Sequence, residues 1–320
     1  MGKYAQLVVG PAGAGKTTYC AVAYDHLCTV DRSRHVHLVN LDPAAGALPY
    51  KPTVDVRELV TVDDVMEACE LGPNGALVFA METVLTHNWM ADELGDYEED
   101  YLVIDCPGQI ELYTHYPIMR QFISMLERIG YKVCVLYFCE APRFINTPAY
   151  VSSVLAATSA MLSLGTAQVN VASKMDMLSE DPEERESIVK QALNPSPFSL
   201  AMSMGHPRYA RLNAALADIV DRFSLVSFVP LTCTDTDSVQ RVLDYVDQST
   251  QYGEDLEPRD SDYIGQGGDA RVQDTEGCEW EGADAAVGRY DTEMATGSGT
   301  MITPDYSPDY TSGGDLDEQD

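Results

Sequence analysis

Positive charge is scarce: 20 lysine and arginine residues stand against 51 aspartate and glutamate, a formal net charge of -31 over 320 residues. Such a surface repels nucleic-acid phosphate and anionic lipid, because binding either needs clustered cations that displace counterions. Direct nucleic-acid binding is therefore not expected, and neither is membrane attachment; the expected macromolecular partners are proteins. Paired cysteines are also missing. The eight cysteines are scattered (Cys20, Cys28, Cys69, Cys106, Cys134, Cys139, Cys233, Cys278), none in a C-x-x-C pair, so a zinc site has no support. Several lie in apolar runs such as Val133–Cys139 and read as small buried hydrophobes of a reducing compartment. No apolar run approaches the ~18 residues of a membrane span. Met1-Gly-Lys-Tyr-Ala-Gln leads straight into a strand pattern without a signal-peptide core, and Gly2 matches a myristoylation site poorly. The expectation is a soluble, intracellular protein.

Large aliphatic residues nearly vanish after Gly253. The segment 257–320 is rich in Gly, Asp, Glu, Ser and Thr, and cannot bury enough apolar surface to offset its ordering entropy. It is predicted to be a disordered acidic tail, with Thr303-Pro304 and Ser307-Pro308 as steps able to accept phosphate. Residues 1–256 alternate strand and helix patterns. Strands are expected at Tyr4–Val9, His35–Leu41, Tyr101–Ile104, Lys132–Phe138, Ala167–Ala172 and Leu225–Pro230. Helices are expected at Lys16–Thr29, Tyr116–Ile129, Thr147–Leu164, Pro182–Leu193, Tyr209–Phe223 and Asp237–Tyr252. That alternation predicts an α/β fold, a mainly parallel sheet with helices on both faces.

The first strand ends in Gly10-Pro11-Ala12-Gly13-Ala14-Gly15-Lys16-Thr17, a full Gly-x-x-x-x-Gly-Lys-Ser/Thr phosphate loop placed between strand and helix. Backbone N–H groups at Gly13, Ala14 and Gly15 turn toward a phosphate, and the helix N-terminus at Thr17 and Thr18 adds partial positive charge. Lys16 bridges the outer phosphates and Thr17 ligates Mg²⁺. A second apolar strand ends in Asp105 and runs into Cys106-Pro107-Gly108-Gln109. This Asp-x-x-Gly-Gln spacing gives a carboxylate for Mg²⁺, an N–H at Gly108 for the γ-phosphate and an amide at Gln109 to orient water, with Glu111 two residues on. Asp42, in Asn40-Leu41-Asp42-Pro43, ends another strand and is a candidate general base or water positioner. Ser173-Lys174-Met175-Asp176 follows a strand where GTPases carry Asn-Lys-x-Asp. The Asp176 carboxylate can accept from guanine N1–H and N2–H₂, a donor pair adenine lacks, so the expected nucleotide is GTP. Ser173 departs from Asn and removes one contact. Leu231-Thr232-Cys233 gives a weak signal for backing the base.

Together these motifs resemble the GPN-loop GTPases, a P-loop family named for an inserted Gly-Pro-Asn. Here it is Gly72-Pro73-Asn74, within an insertion at about 65–100. The likeness runs from Tyr4 to Leu256, and a eukaryotic paralogue of that family also lacks Asn at the position of Ser173. The resemblance implies a homodimer or a heterodimer with a related GPN-loop GTPase, in which Asn74 reaches the partner's γ-phosphate in trans. It also implies work on RNA polymerase II subunits, in polymerase assembly and nuclear import. An alternative is a nucleotide-gated scaffold that binds GTP with negligible hydrolysis as half of a heterodimer. A nucleoside or polynucleotide kinase shares the phosphate loop, but it needs an Arg-bearing lid that so acidic a chain barely supplies.

Overall fold

The computed structural model describes residues 2–30, 34–87, 89–94, 101–178, 207–222 and 227–254. The acidic tail 257–320 with its Thr-Pro and Ser-Pro steps, and the helix expected at Pro182–Leu193, lie outside the described residues. Seven strands form one sheet: β1 (Lys3–Val9), β2 (Val36–Asn40), β3 (Val54–Asp55), β4 (Tyr101–Asp105), β5 (Tyr131–Glu140), β6 (Ala167–Ser173) and β7 (Phe228–Pro230). Their order is β3-β2-β4-β1-β5-β6-β7, and every pairing is parallel.

Both faces of the sheet are buried, which is why its strands read as nearly continuous apolar runs. Along β1, Ala5, Leu7 and Val9 enter one core cluster, while Tyr4 and Val8 enter the other. The second cluster is closed by helix α1 (Lys16–Val30) and by the last described helix, Thr236–Thr250. The first is covered by α2 (Val62–Cys69), α3 (Pro73–Thr86), α6 (Ile118–Ile129) and α7 (Thr147–Leu164), with the shorter α4 (Trp89–Leu94) and α5 (Glu111–Thr114), and by α8 (Ala210–Arg222). Tyr113, Phe122 and Leu102 are fully buried there, each contributing about 1.5–3 kcal/mol of transfer free energy. Among the described residues, no helix is long and apolar enough to cross a membrane.

Local signals set the helix ends. Asn146 accepts from the Ala149 N–H to start α7, and Gly165, at φ 69°, ends it. The closing helix α9 (Thr236–Thr250) is capped by Asp235. It is tied to the sheet by Arg34, which donates to both oxygens of Asp247 at 3.1 and 2.7 Å and lies 3.8 Å from the Tyr252 ring centre.

Chain order places the site. From β1 the chain crosses beyond β4 to β2, and from β4 it returns past β1 to β5. Connections therefore leave β1 and its neighbours in opposite directions, and the crevice at the carboxyl ends of the central strands is the topological switch point. The phosphate loop, Asp42, Asp105, Glu140 and Ser173 all lie at those ends.

Candidate active site

The loop between β1 and α1 is shaped by three left-handed glycines: Gly10 at φ 138°, Gly13 at φ 81° and Gly15 at φ 87°. At Gly10 the constraint is doubled, since a Cβ there would lie 2.5 Å from the Phe138 carbonyl oxygen on β5. Ala14 N–H closes a turn onto Pro11 O at 3.3 Å, and the Lys16 ammonium donates to the same carbonyl at 3.1 Å. Lys16 is buried. Burial pulls its pKa below the ordinary lysine value, against the opposing fields of Asp105 and Asp42.

Asp105 ends β4 directly opposite the loop and is 2% exposed. Its Oδ2 accepts from the Tyr50 hydroxyl at 3.0 Å, and the Thr17 side chain lies near the same carboxylate. Its Oδ1 is buried without a partner. Burial raises the Asp105 pKa, while Thr17, Tyr50 and Lys16 hold it down in part. An orphaned, desolvated carboxylate oxygen beside a phosphate-loop threonine is a donor set that fits a hard cation or its bound water. Among the described residues no cluster of three or more His, Cys, Asp and Glu side chains could hold a metal. A cation here would take most of its ligands from phosphate and water, as Mg²⁺ does.

Asp42 follows β2, and its backbone is fixed by a buried network. Asn40 Oδ1 accepts the Asp42 N–H at 3.1 Å, and Asn40 Nδ2 donates to Asp55 Oδ1 at 2.8 Å. Arg57 grips the Asp55 carboxylate and donates to Ala45 O at 3.2 Å and Gly46 O at 2.7 Å. Burial pushes the Asp55 carboxyl up, but the bonds from Arg57 and Asn40 outweigh it and hold the pKa below the usual range. Asp42 is the reverse case: burial raises its pKa, and the Ala44 N–H and Lys16 only partly compensate. Asn40, Asp55 and Arg57 escaped sequence reasoning. The Asp-x-Arg spacing was visible, but nothing in one sequence says that a two-residue strand sets it beside Asn40.

Gly108 backs onto the phosphate loop so closely that a Cβ would meet Ala12 Cα at 2.9 Å. Gln109 and Glu111 lead away from it and line a groove of about 450 Å³ together with Asn74, Leu71, Phe79 and Tyr116. Gln109 Oε1 is buried without a partner. The Gly-Pro-Asn tripeptide, expected as a loop, is the start of a helix: Gly72 is the N-cap of α3 and Pro73 occupies its first turn. Proline's fixed φ and missing N–H suit that position. Asn74 is exposed there, on the same groove as this chain's own Gln109 and Glu111.

Ser173–Asp176, expected to read the base, is tied to the loop between β1 and α1. Ser173 Oγ lies 2.6 Å from Ala14 O, to which it donates, and 3.2 Å from Cys139 O. Lys174 is left-handed at φ 58°, and its ammonium donates to Glu140 Oε1 at 2.7 Å. Glu140, at the end of β5, was not singled out from sequence. Asp176 is exposed in the short turn Met175–Met177. Met175 N–H donates to Leu231 O at 3.3 Å, and the Cys233 thiol, raised first by burial, also feels the charge of Asp176. Leu231–Cys233 therefore sits behind the base-reading turn.

Comparison with known proteins bears on the family and the fold. The model of a family described as conserved hypothetical ATP binding protein matches residues 8–252. GPN-loop GTPase 3 of Dictyostelium discoideum is 45% identical over 264 residues, covering 81% of this chain and 91% of that protein. GPN-loop GTPase 3 of Saccharomyces cerevisiae is 41% identical over 267 residues, covering 81% and 97%. A crystal structure of a GTPase in apo form from Pyrococcus abyssi superposes with a TM-score of 0.60 at 24% identity, over 77% of this chain and 97% of that one, a likeness of fold. The family description names ATP, whereas the names of these relatives specify GTPases.

Proposed function

Because the chain belongs to the GPN-loop GTPase family and is a GTPase, we propose that it hydrolyses GTP by in-line attack of water within a dimer. Lys16, Thr17 and the N–H groups of Gly13–Thr17 bind the phosphates. Thr17 and Asp105 would hold Mg²⁺, which when bound would supply positive charge beside the phosphates. Asp42, with Gln109 and Glu111, orients the attacking water, and Gly108 N–H meets the γ-phosphate. Lys174 covers the base and Asp176 accepts from guanine N1–H and N2–H₂. Asn74 donates its amide to the partner's γ-phosphate, where a fixed donor stabilises spread negative charge.

The observation that carries this reading is the convergence of Lys16, Asp42 and Asp105 within one another's fields around a left-handed glycine loop. A dimer draws support from the rim of the groove beside Asn74, where Leu71 is 38%, Phe79 44% and Tyr116 44% exposed. Such an apolar rim suits a homodimer or a related GPN-loop partner. Hydrolysis would change that interface and so the grip on clients. By the family resemblance these are RNA polymerase II subunits, during polymerase assembly in the cytoplasm and nuclear import.

Single-turnover GTP hydrolysis, with the chain alone and mixed with a related GPN-loop protein, tests the reading. Turnover that depends on protein concentration or partner, and falls when Asn74 becomes Ala, is expected. Wild-type turnover in the Asn74→Ala protein would remove the trans role. Tight GTP binding with no hydrolysis under either condition would favour the nucleotide-gated scaffold.

A further inference from the structure

The loop between β2 and β3 carries Asp42 at one end and Tyr50 near the other. Its far end is pinned where Thr53 N–H donates to Leu38 O at 2.7 Å. Tyr50 packs its ring against the core cluster closed by α1 and passes only its hydroxyl to Asp105. The two oxygens of that carboxylate then have different fates. Oδ2 accepts a hydrogen bond from the Tyr50 hydroxyl at 3.0 Å, while Oδ1 remains buried and unpartnered. A carboxylate with one oxygen engaged cannot rotate freely, so its other oxygen is presented in a fixed direction.

We infer that Tyr50 is a positioning residue for the cation: its hydroxyl holds Asp105 Oδ2 and leaves Oδ1 fixed in direction as the oxygen a cation or its bound water would use. The inference rests on the GTP·Mg²⁺ reading above and adds a residue that neither the phosphate loop nor the Asp-x-x-Gly segment contains. It also ties the metal to the loop bearing Asp42, since Tyr50 and Asp42 belong to one short connection.

The test is the Mg²⁺ dependence of nucleotide retention, which needs no turnover. Release of a fluorescent GDP analogue is timed from wild type, Tyr50→Phe, Asp105→Asn and the double variant while free Mg²⁺ is titrated. Phenylalanine keeps the ring and its packing, so the protein should stay folded with only a modest fall in Tm from the lost hydrogen bond, and release without Mg²⁺ should stay at the wild-type level. The Mg²⁺ concentration that half-maximally slows release should rise about tenfold in Tyr50→Phe, the size of effect that residues orienting metal ligands show. In the Asp105→Asn background the same change should add nothing, because the group it positions is gone. An unchanged Mg²⁺ midpoint in Tyr50→Phe overturns the inference. So does a Tyr50→Phe shift of equal size in the Asp105→Asn background, or faster release in the absence of Mg²⁺. A wild-type protein that retains no guanine nucleotide at any Mg²⁺ concentration overturns the GTP-site reading itself, and the positioning role falls with it.

Discussion

Replacing Arg57 by Ala should slow GTP hydrolysis far more than it weakens GTP binding. Arg57 touches neither phosphate nor base in the proposed site. It donates to Ala45 O and Gly46 O, just past Asp42, and grips Asp55, which in turn holds Asn40. Hydrogen bonds of this kind contribute about 1 kcal/mol each, and the partly exposed ion pair adds about 0.5–1 kcal/mol. The total loss is then about 2–3 kcal/mol, or roughly 5–10 °C in Tm for a domain of this size. The larger effect is geometric. A displacement of about 1 Å in a group that positions the nucleophile costs about a hundredfold in rate. Arg57→Lys makes the contrast sharper: it restores a charge beside Asp55 and part of the Tm, but lacks the planar fork that spans carboxylate and two carbonyls. Its rate should stay low. The assay is single-turnover hydrolysis alongside GTP titration and thermal melting of both variants. If Arg57→Ala hydrolyses GTP at the wild-type rate, the network does not position Asp42 and the assignment of Asp42 loses its structural support.

Gly108→Ala forces a Cβ against the backbone of Ala12, an overpacking of about 1–3 kcal/mol. GTP affinity should fall about 5- to 150-fold, and GDP affinity less, in parallel titrations. Asp42 carries a pKa raised by burial, and a water positioner acts as the carboxylate. Hydrolysis should therefore climb about tenfold per pH unit below that raised value and level off above it, and Asp42→Asn should flatten the profile. The same sign governs stability at Asp105. A carboxyl raised in the folded state stabilises that state at acid pH and loses this contribution as pH rises through its folded pKa. The Tm of nucleotide-free Asp105→Asn, relative to wild type, should thus improve from acid to neutral pH. Ser173→Ala removes the bond to Ala14 O. It should weaken guanine-nucleotide binding about fivefold, equivalent to about 1 kcal/mol, with no change for the triphosphate moiety alone.

What the sequence made legible follows from how local each signal is. The phosphate loop, the strand ending in Asp105 and the helix Thr147–Leu164 are written in consecutive residues whose pattern needs no distant partner. Thr147–Leu164 came out residue for residue, because Asn146 and Gly165 mark both ends. The stretch from Val54 to Thr86 was opaque for the opposite reason. Val54–Asp55 is too short to show a strand period, and it becomes a strand only by pairing with Val39 and Asn40. Helix α3 was hidden because Gly72-Pro73-Asn74 reads as a turn, although Pro in the first turn of a helix is a start signal.

The same distinction separates the groups proposed to touch substrate from those that hold them. Lys16, Asp42, Asp105 and Asp176 stand in motifs. Tyr50 and Glu140 do not, since each acts across the fold, Tyr50 on a residue 55 positions away and Glu140 on one 34 away; Asn40 and Arg57 act within one connection, yet only the folded loop sets them together. Their chemistry explains why they are there. Asp42 and Asp105 are both desolvated near Lys16, and a lone ammonium cannot fix two carboxylates in direction, because it is a point charge. Directional groups must do so: the Tyr50 hydroxyl donates to Asp105, while the Ala44 N–H donates to Asp42 Oδ1 and Asn40, backed by the Arg57 fork, fixes the Asp42 backbone. If that division of labour is right, removing Lys16 weakens binding of every phosphate-bearing ligand, whereas removing Tyr50 or Arg57 leaves Mg²⁺-free binding intact and alters only what the metal and the water do next.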